Sequence, residues 1–269
     1  MVVATPRVSV LIGAYNNAAT LERAAASILD QSVGDLELLI IDDGSTDATA
    51  AVAAAIAASD PRVELLSMGR NLGISRSLNA GLARARAPIA AVQDADDHSH
   101  ERRLERELAV LDGDPAVAVV GCRMDEVDEA GRRLAPRTTF AAGDVRPVLM
   151  RFNPIPNTSA AFRRSAVLAV GGYDRRYRYA MEYDLWLRLA ERHRVVALDE
   201  VLATRVMSAT NVAARAERAQ NVEAMVIRVR ALARRRTLRG ASGLALPALS
   251  LLTPPALKRA RRRRLGQAP

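Results

Sequence analysis

The sequence predicts an α/β protein whose central sheet is mainly parallel, with helices on both faces. Over the first hundred residues, short apolar runs alternate with longer segments in which apolar residues recur at helical spacing. The short runs are apolar almost throughout, as in strands that are covered on both faces. A repeated strand–helix alternation of this kind is typical of a parallel sheet.

Four strands and three helices are predicted before the first strongly acidic segment. The strands cover residues 8–14, 36–41, 63–67 and 88–92. The helices cover residues 18–31, 47–58 and 74–85, the first of them because Leu21, Ala24 and Ile28 recur at helical spacing. In a sheet of this type ligands bind at the carboxyl ends of the strands.

The rest of the chain is less regular. A helix over 101–112 and a strand over 116–122 precede a polar segment, 125–143, that we interpret as irregular or as a hairpin. The prolines within 153–157 exclude a helix interior there. The later predicted elements are a strand at 160–163 and helices at 165–170, 182–192 and 211–236.

Carboxylates cluster at two of the predicted strand ends. Asp42 and Asp43 end the second strand, and Asp94, Asp96 and Asp97 follow the fourth. Like charges so close together raise each other's pKa, and a bound cation relieves that repulsion. Oxygen ligands suit a hard ion such as Mg²⁺ or Mn²⁺. The alternative for residues 94–97 is a solvated acidic turn that caps the following helix. A capped turn does not account for Asp42, because Asp42 continues an apolar strand, where a carboxylate is unfavourable unless it is paired or bound.

Several common functional classes are not supported. The chain has neither a Gly-rich dinucleotide fingerprint after the first strand nor a Walker loop, so a bound diphosphate would need a metal as counter-charge. Cys122 is the single cysteine and lies in an apolar run, which fits a core residue in a reducing compartment. Residues 1–7 are too short and polar for a secretory signal, so we expect a cytoplasmic protein.

The net charge of +9 is unevenly distributed. Residues 224–269 contain twelve Lys or Arg and no carboxylate, which leaves 27 basic and 30 acidic residues in the remainder. An apolar stretch at 244–257, interrupted by prolines, precedes the polybasic run 258–264. This pattern favours contact with an anionic membrane surface, with a solvated tail as the alternative. Nucleic acid is the least favoured partner because no aromatic residue follows Trp186.

Seven segments, taken in order, resemble the family 2 glycosyltransferases, which adopt the GT-A fold. The resemblance covers residues 7–206 and divides the chain into a GT-A domain, 1–210, and a C-terminal helix and tail, 211–269. The segments are Val8–Ile12 with Tyr15 and Asn16; Ile41–Asp47; Asn71–Gly73 with Asn79; Gln93–Asp97 with Glu101–Leu104; Phe162–Arg164; Gly171–Asp174; and Tyr183–Leu189.

The resemblance implies an enzyme that transfers a sugar, with inversion, from a nucleotide-diphosphate sugar to an acceptor hydroxyl. The donor would be of the UDP, dTDP or GDP type, and the acceptor a saccharide or lipid-linked molecule in cell-surface glycan synthesis. Asp94 and Asp96 match the family's Asp-x-Asp motif and would bind Mn²⁺ or Mg²⁺. The donor-binding residues so implied are Ala14, Tyr15, Asp42, Asp43, Asn71, Asp94, Ala95, Asp96 and Arg205.

Two positions depart from the pattern of the family. The family commonly has Asp where this chain has Glu182; we take Glu182 as the first candidate for the general base and Asp184 as the second. Many relatives have His where this chain has Met207, and a thioether is a poor ligand for a hard cation. Arg205 would then carry more of the phosphate charge. These departures leave a non-catalytic nucleotide-sugar-binding protein as the alternative function.

Overall fold

The computed structural model describes residues 5–135, 140–207 and 217–235. The strands are β1 (Val8–Ala14), β2 (Leu36–Asp42), β3 (Val63–Ser67), β4 (Ile89–Val92), β5 (His98–Ser99), β6 (Val117–Asp128), β7 (Gly143–Asp144), β8 (Ala160–Arg163) and β9 (Arg194–Met207). The helices are α1 (Leu21–Leu29), α2 (Thr49–Ser59), α3 (Ile74–Arg84), α4 (Arg103–Gly113), α5 (Arg164–Ala169), α6 (Met181–Leu189) and α7 (Glu217–Arg235), with a short 3₁₀ turn at Asn157–Ser159.

The described strands form one sheet in the order β3-β2-β1-β4-β8-β6-β9-β5, and β7 pairs with β9. Strands β1 to β4 are mutually parallel, and β6 and β9 are parallel to each other. The sheet is mixed because β8 runs antiparallel to both β4 and β6. The predicted fold class, a mainly parallel sheet with flanking helices, is confirmed.

The register of the parallel strands brings the predicted site residues to one edge. Ala14 pairs with Asp42 at the ends of β1 and β2. Val92, the last residue of β4, lies opposite Leu11, so the acidic segment leaves the sheet beside the end of β1. The carboxyl ends of three adjacent strands therefore open into the same space.

Both faces of the sheet are covered by apolar side chains. Leu11, Leu39 and Ile41 belong to one buried cluster, whereas Val10 and Ile40 belong to another. Since successive side chains of a strand point to opposite faces, neighbouring positions of β1 and β2 must both be apolar. This two-sided burial accounts for the near-continuous apolar runs in the sequence.

Helix α6 is held in the core by aromatic side chains. Trp186 is fully buried, and its Nε1 donates to the carbonyl oxygen of Ile155 over 3.0 Å. The Phe162 ring packs against the indole with 5.9 Å between ring centroids. The segment before α6 is fixed by Glu223 of α7, whose carboxylate accepts from the backbone N–H groups of residues 178–180.

Two long strands differ from the sequence expectation. Strand β6 continues to Asp128, whereas we expected it to end at residue 122, and β9 was not predicted. Beyond Cys122 the two strands stay paired with each other through register shifts. Residues 123–128 of β6 are mostly polar, so they lack the apolar run of a buried strand. Each of the two strands supplies the backbone hydrogen-bond partners of the other. A prediction made one segment at a time does not detect such a pairing.

Helix α7 confirms the predicted C-terminal helix. Three other predictions lie outside the described residues: the helical residues 211–216, the domain boundary between residues 210 and 211, and the apolar and polybasic segments after residue 235. None of the described helices combines the length and the apolar composition needed to cross a bilayer. Cys122 is a buried free thiol, as expected.

Two glycines with the same left-handed backbone allow a matched test of the turn after β2. Gly44 has φ +72° and Gly69 has φ +69°, yet only at Gly44 would a Cβ collide with neighbouring backbone, 2.4 Å from Arg70. We expect Gly69→Ala to lower the free energy of unfolding by about 1 kcal/mol. Gly44→Ala should lower it by about 3 kcal/mol or more, because the Arg70 backbone must move. Urea denaturation measures both, and equal losses would contradict the crowding at Gly44.

Candidate active site

The two carboxylates at the end of β2 have different surroundings. Both are buried. Asp43 accepts from the N–H of Leu72 over 2.9 Å and from the N–H of Gly73 over 2.8 Å, one bond to each oxygen. It therefore fixes the loop that leads into α3. Asp42 accepts one hydrogen bond, over 3.1 Å, from the N–H of Ser45.

The turn after β1 lies beside the end of β2. Asn16 adopts a left-handed backbone, with φ 57°. Its Oδ1 accepts from the Thr46 N–H over 2.9 Å, and its own N–H donates to Ser45 Oγ over 3.1 Å. These bonds tie the ends of β1 and β2 together. Ala14 is buried beside Asp42, whereas Tyr15 and Asn71 lie exposed at the rim.

Three carboxylates lie in the segment that follows β4. Burial raises the pKa of Asp94 to about 6; the charge of Asp96 acts in the same direction, and Arg205 and Asn157 oppose it. Burial also raises the pKa of Asp96, with Arg205 and Arg23 opposing. Asp97 is almost fully buried, and its pKa lies well above the usual range for the same first reason. The segment thus concentrates negative charge that the protein only partly neutralises.

Arg205, on β9, is the guanidinium that faces this cluster. Its Nε lies 3.7 Å from Asp97 Oδ2. Burial lowers the pKa of Arg205, but the carboxylates of Asp97, Asp94, Glu126 and Asp96 more than offset this, so the net shift is upward. Met207 is the last residue of β9 and pairs with Asp128 of β6.

Asp94 and Asp96 fit a cation that also binds substrate oxygens. Among residues 5–135, 140–207 and 217–235, no group of three or more His, Cys, Asp or Glu side chains is arranged to hold a metal. Mg²⁺ commonly uses only one or two carboxylates and takes the remaining oxygens from water and phosphates. Two carboxylates with raised pKa values match that donor set. Ala95, between them, is buried in an apolar cluster and turns away from the site.

The two candidate bases at the start of α6 occupy different environments. Asp184 is buried, with its Oδ2 2.7 Å from Arg188 Nε and its Oδ1 3.8 Å from Arg234 Nη1. Glu182 is partly exposed, and Asn153 Nδ2 donates to its Oε1 over 3.1 Å. Burial raises the pKa of Glu182 to about 7, and the charge of Asp94 raises it further, whereas Arg205 and Asn153 lower it.

Glu182 lies near Asp94, close enough for the two charges to interact. Besides the effect of Asp94 on Glu182, both carboxylates act with burial to raise the pKa of the Tyr173 phenol well above its usual range. The Tyr173 hydroxyl donates to Asn157 Oδ1 over 2.8 Å, and the Asn157 amide acts on Asp94. Asn157 therefore forms a polar bridge between Asp94 and Tyr173, and Tyr173 lies near Glu182.

Some residues that hold the site were not recognised from the sequence. Thr158 Oγ1 accepts from the Asp94 N–H over 2.9 Å. Arg103, at the first position of α4, is fully buried and donates from Nη1 to the carbonyl oxygens of Val92 and Thr158. Arg103 thus anchors both backbone segments that position Asp94. Asn153, Asn157 and Tyr173 also had no assigned role, although Tyr173 belongs to the family-like segment Gly171–Asp174.

Glu107 lies one helical turn after Arg103 and is fully buried. Its two carboxyl oxygens make no hydrogen bond within the described residues, nor do Arg103 Nε and Nη2. Burial raises the pKa of Glu107 to about 8, although Arg103 opposes the shift. The folded protein therefore keeps Glu107 protonated over a pH range in which the unfolded chain does not.

Comparison with known proteins gives consistent matches. The model of the family described as glycosyl transferase family 2 matches residues 9–170. The chain is 36% identical over 192 residues to the putative glycosyltransferase EpsE of Bacillus subtilis, covering 69% of this chain and 67% of that protein. It is 31% identical over 198 residues to the amylovoran biosynthesis glycosyltransferase AmsE of Erwinia amylovora, covering 72% of this chain and 74% of that protein.

Two solved structures share the fold. TarS of S. aureus, in complex with UDP-GlcNAc, superposes with a TM-score of 0.69 at 16% identity, over 84% of this chain and 66% of that one. The mannosyltransferase PcManGT from Pyrobaculum calidifontis, in complex with GDP-Man and Mn2+, superposes with a TM-score of 0.64 at 21% identity, over 97% of this chain and 85% of that one. The chain thus spans slightly less than two thirds of the TarS chain.

The buried Glu107 carboxyl predicts a pH-dependent loss of stability. From its ordinary pKa of 4.5 up to about 8, the unfolded chain loses this proton while the folded chain keeps it. Each pH unit in that window should lower the free energy of unfolding by up to about 1.4 kcal/mol. Glu107→Gln cannot ionise and should remove the contribution of Glu107 to the decline, leaving that of groups such as Asp94 and Glu182. The exposed control Glu101→Gln should retain the full wild-type decline. Urea denaturation between pH 5 and 8 checks this, and parallel curves for wild type and Glu107→Gln would contradict it.

Proposed function

We propose that this chain, which belongs to glycosyl transferase family 2, moves a sugar from a nucleotide-diphosphate sugar to an acceptor hydroxyl with inversion. The family predicted from the ordered motifs is thereby confirmed. The observation that carries the proposal is that Glu182 lies near enough to Asp94 for their charges to interact, with both carboxylates acting on Tyr173. A base opposite a diphosphate site is the arrangement that a single displacement at a sugar carbon needs.

The nucleoside end of the donor would bind between β1 and β2. Asp42 sits at the strand end, with Ala14 beside it and Tyr15 and Asn71 at the rim. Its carboxylate would accept hydrogen bonds from a ribose or a base. Asp43 would act indirectly, because both its oxygens hold the backbone at Leu72 and Gly73. It would keep Asn71 in place at the edge of the pocket.

The donor diphosphate would lie over the segment after β4. Asp94 and Asp96 would hold Mn²⁺ or Mg²⁺, which when bound neutralises charge on the leaving diphosphate. Arg205 is the cation of this chain that faces the same carboxylates, and it would bind a phosphate oxygen. Two structural neighbours support a donor of this class, since TarS was solved with UDP-GlcNAc and PcManGT with GDP-Man and Mn2+.

Glu182 would be the general base. The acceptor oxygen attacks the anomeric carbon as the bond from that carbon to the diphosphate oxygen breaks, and the acceptor proton passes to Glu182. A pKa of about 7 suits a group that must be ionised before the step and protonated after it. Asp184 is the weaker candidate because Arg188 already holds its carboxylate in the interior.

We further propose that the acceptor belongs to cell-surface glycan synthesis and that the protein works at the cytoplasmic face of the plasma membrane. The name of AmsE, which refers to amylovoran biosynthesis, supports an acceptor from glycan synthesis. The basic and apolar sequence after residue 235 supports a location at the membrane. The acceptor would be a saccharide or a lipid-linked molecule.

Substitution of Asp96 tests the metal assignment. Asp96→Asn keeps the shape of the side chain but removes its charge, so it should raise the Mn²⁺ concentration for half-maximal transfer. We expect an increase of at least about tenfold, since even outer-shell partners of a metal contribute roughly 10- to 100-fold. The exposed Asp35→Asn is the control. Unchanged Mn²⁺ dependence in Asp96→Asn would remove this residue from the metal site.

Substitution of Glu182 tests the base. Glu182→Gln should lower the transfer rate by about 10²- to 10⁴-fold while leaving donor affinity unchanged. In the wild type, kcat/KM should rise with pH through about 7, because only the ionised carboxylate accepts the proton. Asp184→Asn should lower stability by leaving Arg188 unpaired, yet retain transfer in the folded fraction.

The opposite pattern, with transfer lost in Asp184→Asn and kept in Glu182→Gln, would show that the wrong carboxylate was chosen. Donor binding without transfer by the wild type, across a panel of acceptors, would favour a non-catalytic nucleotide-sugar-binding protein.

A further inference from the structure

Helix α7 is apolar on two opposite sides. Its inner side packs against α6 through Ile227 and Ala231, which are fully buried. Its outer side carries Val222, Val226 and Val229, which are 47%, 40% and 51% exposed. Residues spaced by three and four positions share one side of a helix, so these valines form a continuous surface. We call these three residues the outer face of α7.

The outer face is unusual within the part of the chain that the structure describes. The exposed large apolar side chains there are Tyr15, Leu168, Val201 and the three valines, so half of them belong to this helix. Single exposed apolar residues are ordinary, whereas a cluster indicates an interaction surface. The valines are not needed to hold α7 in place, because the opposite side of the helix already does so.

The charges around the outer face are basic. Arg218 and Arg230 are exposed beside the valines, and Arg230 also donates from Nη1 to the Tyr177 hydroxyl over 2.7 Å. Glu223, the carboxylate within the described side chains 218–234, is turned inward and bonded to the backbone N–H groups before α6. The surface therefore combines apolar side chains with arginines and presents no carboxylate over those residues.

We propose that the outer face of α7 docks on an anionic lipid bilayer. Apolar residues flanked by Lys and Arg are what an interfacial helix requires. The sequence that follows Arg235 adds 34 residues with an apolar stretch, a polybasic run and no carboxylate. A second copy of the chain is a poorer occupant, since a symmetric contact through this face would place arginines against arginines.

Contact between α7 and a bilayer would also affect which acceptor the enzyme meets. This step rests on the proposed function. α7 packs on α6, and Glu223 fixes the backbone that leads into Glu182. A chain docked through the outer face would be held at the surface on which a lipid-carried acceptor lies, so docking favours an acceptor of that class.

Vesicle binding by the full chain tests the proposal without any catalytic step. The variant Val222→Gln/Val226→Gln/Val229→Gln should bind phosphatidylcholine vesicles containing phosphatidylglycerol at least about tenfold more weakly than the wild type. The matched control Leu168→Gln/Val201→Gln replaces side chains of similar exposure, 44% and 40%, on other elements and should bind as the wild type does. Arg218→Glu should weaken binding by about fivefold or more, and pure phosphatidylcholine should bind little of any variant.

Wild-type binding by the triple variant, with its unfolding midpoint retained, would overturn the proposal. So would a concentration-dependent dimer that the triple variant abolishes, since the outer face would then join two copies. Glu182→Gln must bind vesicles as the wild type does, and the triple variant must keep its donor affinity. A failure of membrane docking is therefore distinguishable from a failure of the sugar-transfer proposal.

Discussion

The packing of three carboxylates, one buried and two half-buried, beside the Arg205 guanidinium after β4 is the constraint on which the rest of the site depends. Asp94, Asp96 and Asp97 all have raised pKa values because burial disfavours their charged forms, and Arg205 opposes this only in part. Such a cluster is unfavourable unless the surrounding structure holds it and a ligand offsets its charge. The fold provides the first condition, and a cation with a diphosphate would provide the second.

The neighbouring elements serve to hold that cluster in place. Arg103 donates to the backbone on both sides of it, and Thr158 binds the N–H of Asp94. The bridge through Asn157 and Tyr173 extends the same network toward Glu182. The position of the proposed base is thus linked to that of the proposed metal ligands, as a displacement between two bound substrates requires.

The sequence predicts those parts of the site that depend on one segment. Asp42 and Asp94 follow apolar runs, and the parallel register brings both to one edge. The roles of Glu182 and Asp184 cannot be separated in this way. They differ because Asp184 lies on the buried side of α6, beside Arg234 of α7, whereas Glu182 is partly exposed and bonded by Asn153. Arg103 was missed for a related reason: its partners are carbonyl oxygens of Val92 and Thr158, which no side-chain pattern reveals. Strand β9, which carries Arg205, was likewise missed because its pairing with β6 is distant in sequence.

The central claim is that the carboxylates after β4 form a donor-diphosphate site. The most direct test is the thermal unfolding midpoint of the wild-type chain, measured with UDP-, dTDP- and GDP-sugars. Each donor is tested once in the presence of Mn²⁺ and once in the presence of EDTA. A ligand that binds only the folded state raises its stability, by about 2.7 kcal/mol at one hundred times its dissociation constant. At least one donor should raise the midpoint in Mn²⁺, and EDTA should remove most of that rise. No rise with any donor, or the same rise in EDTA, would contradict the claim.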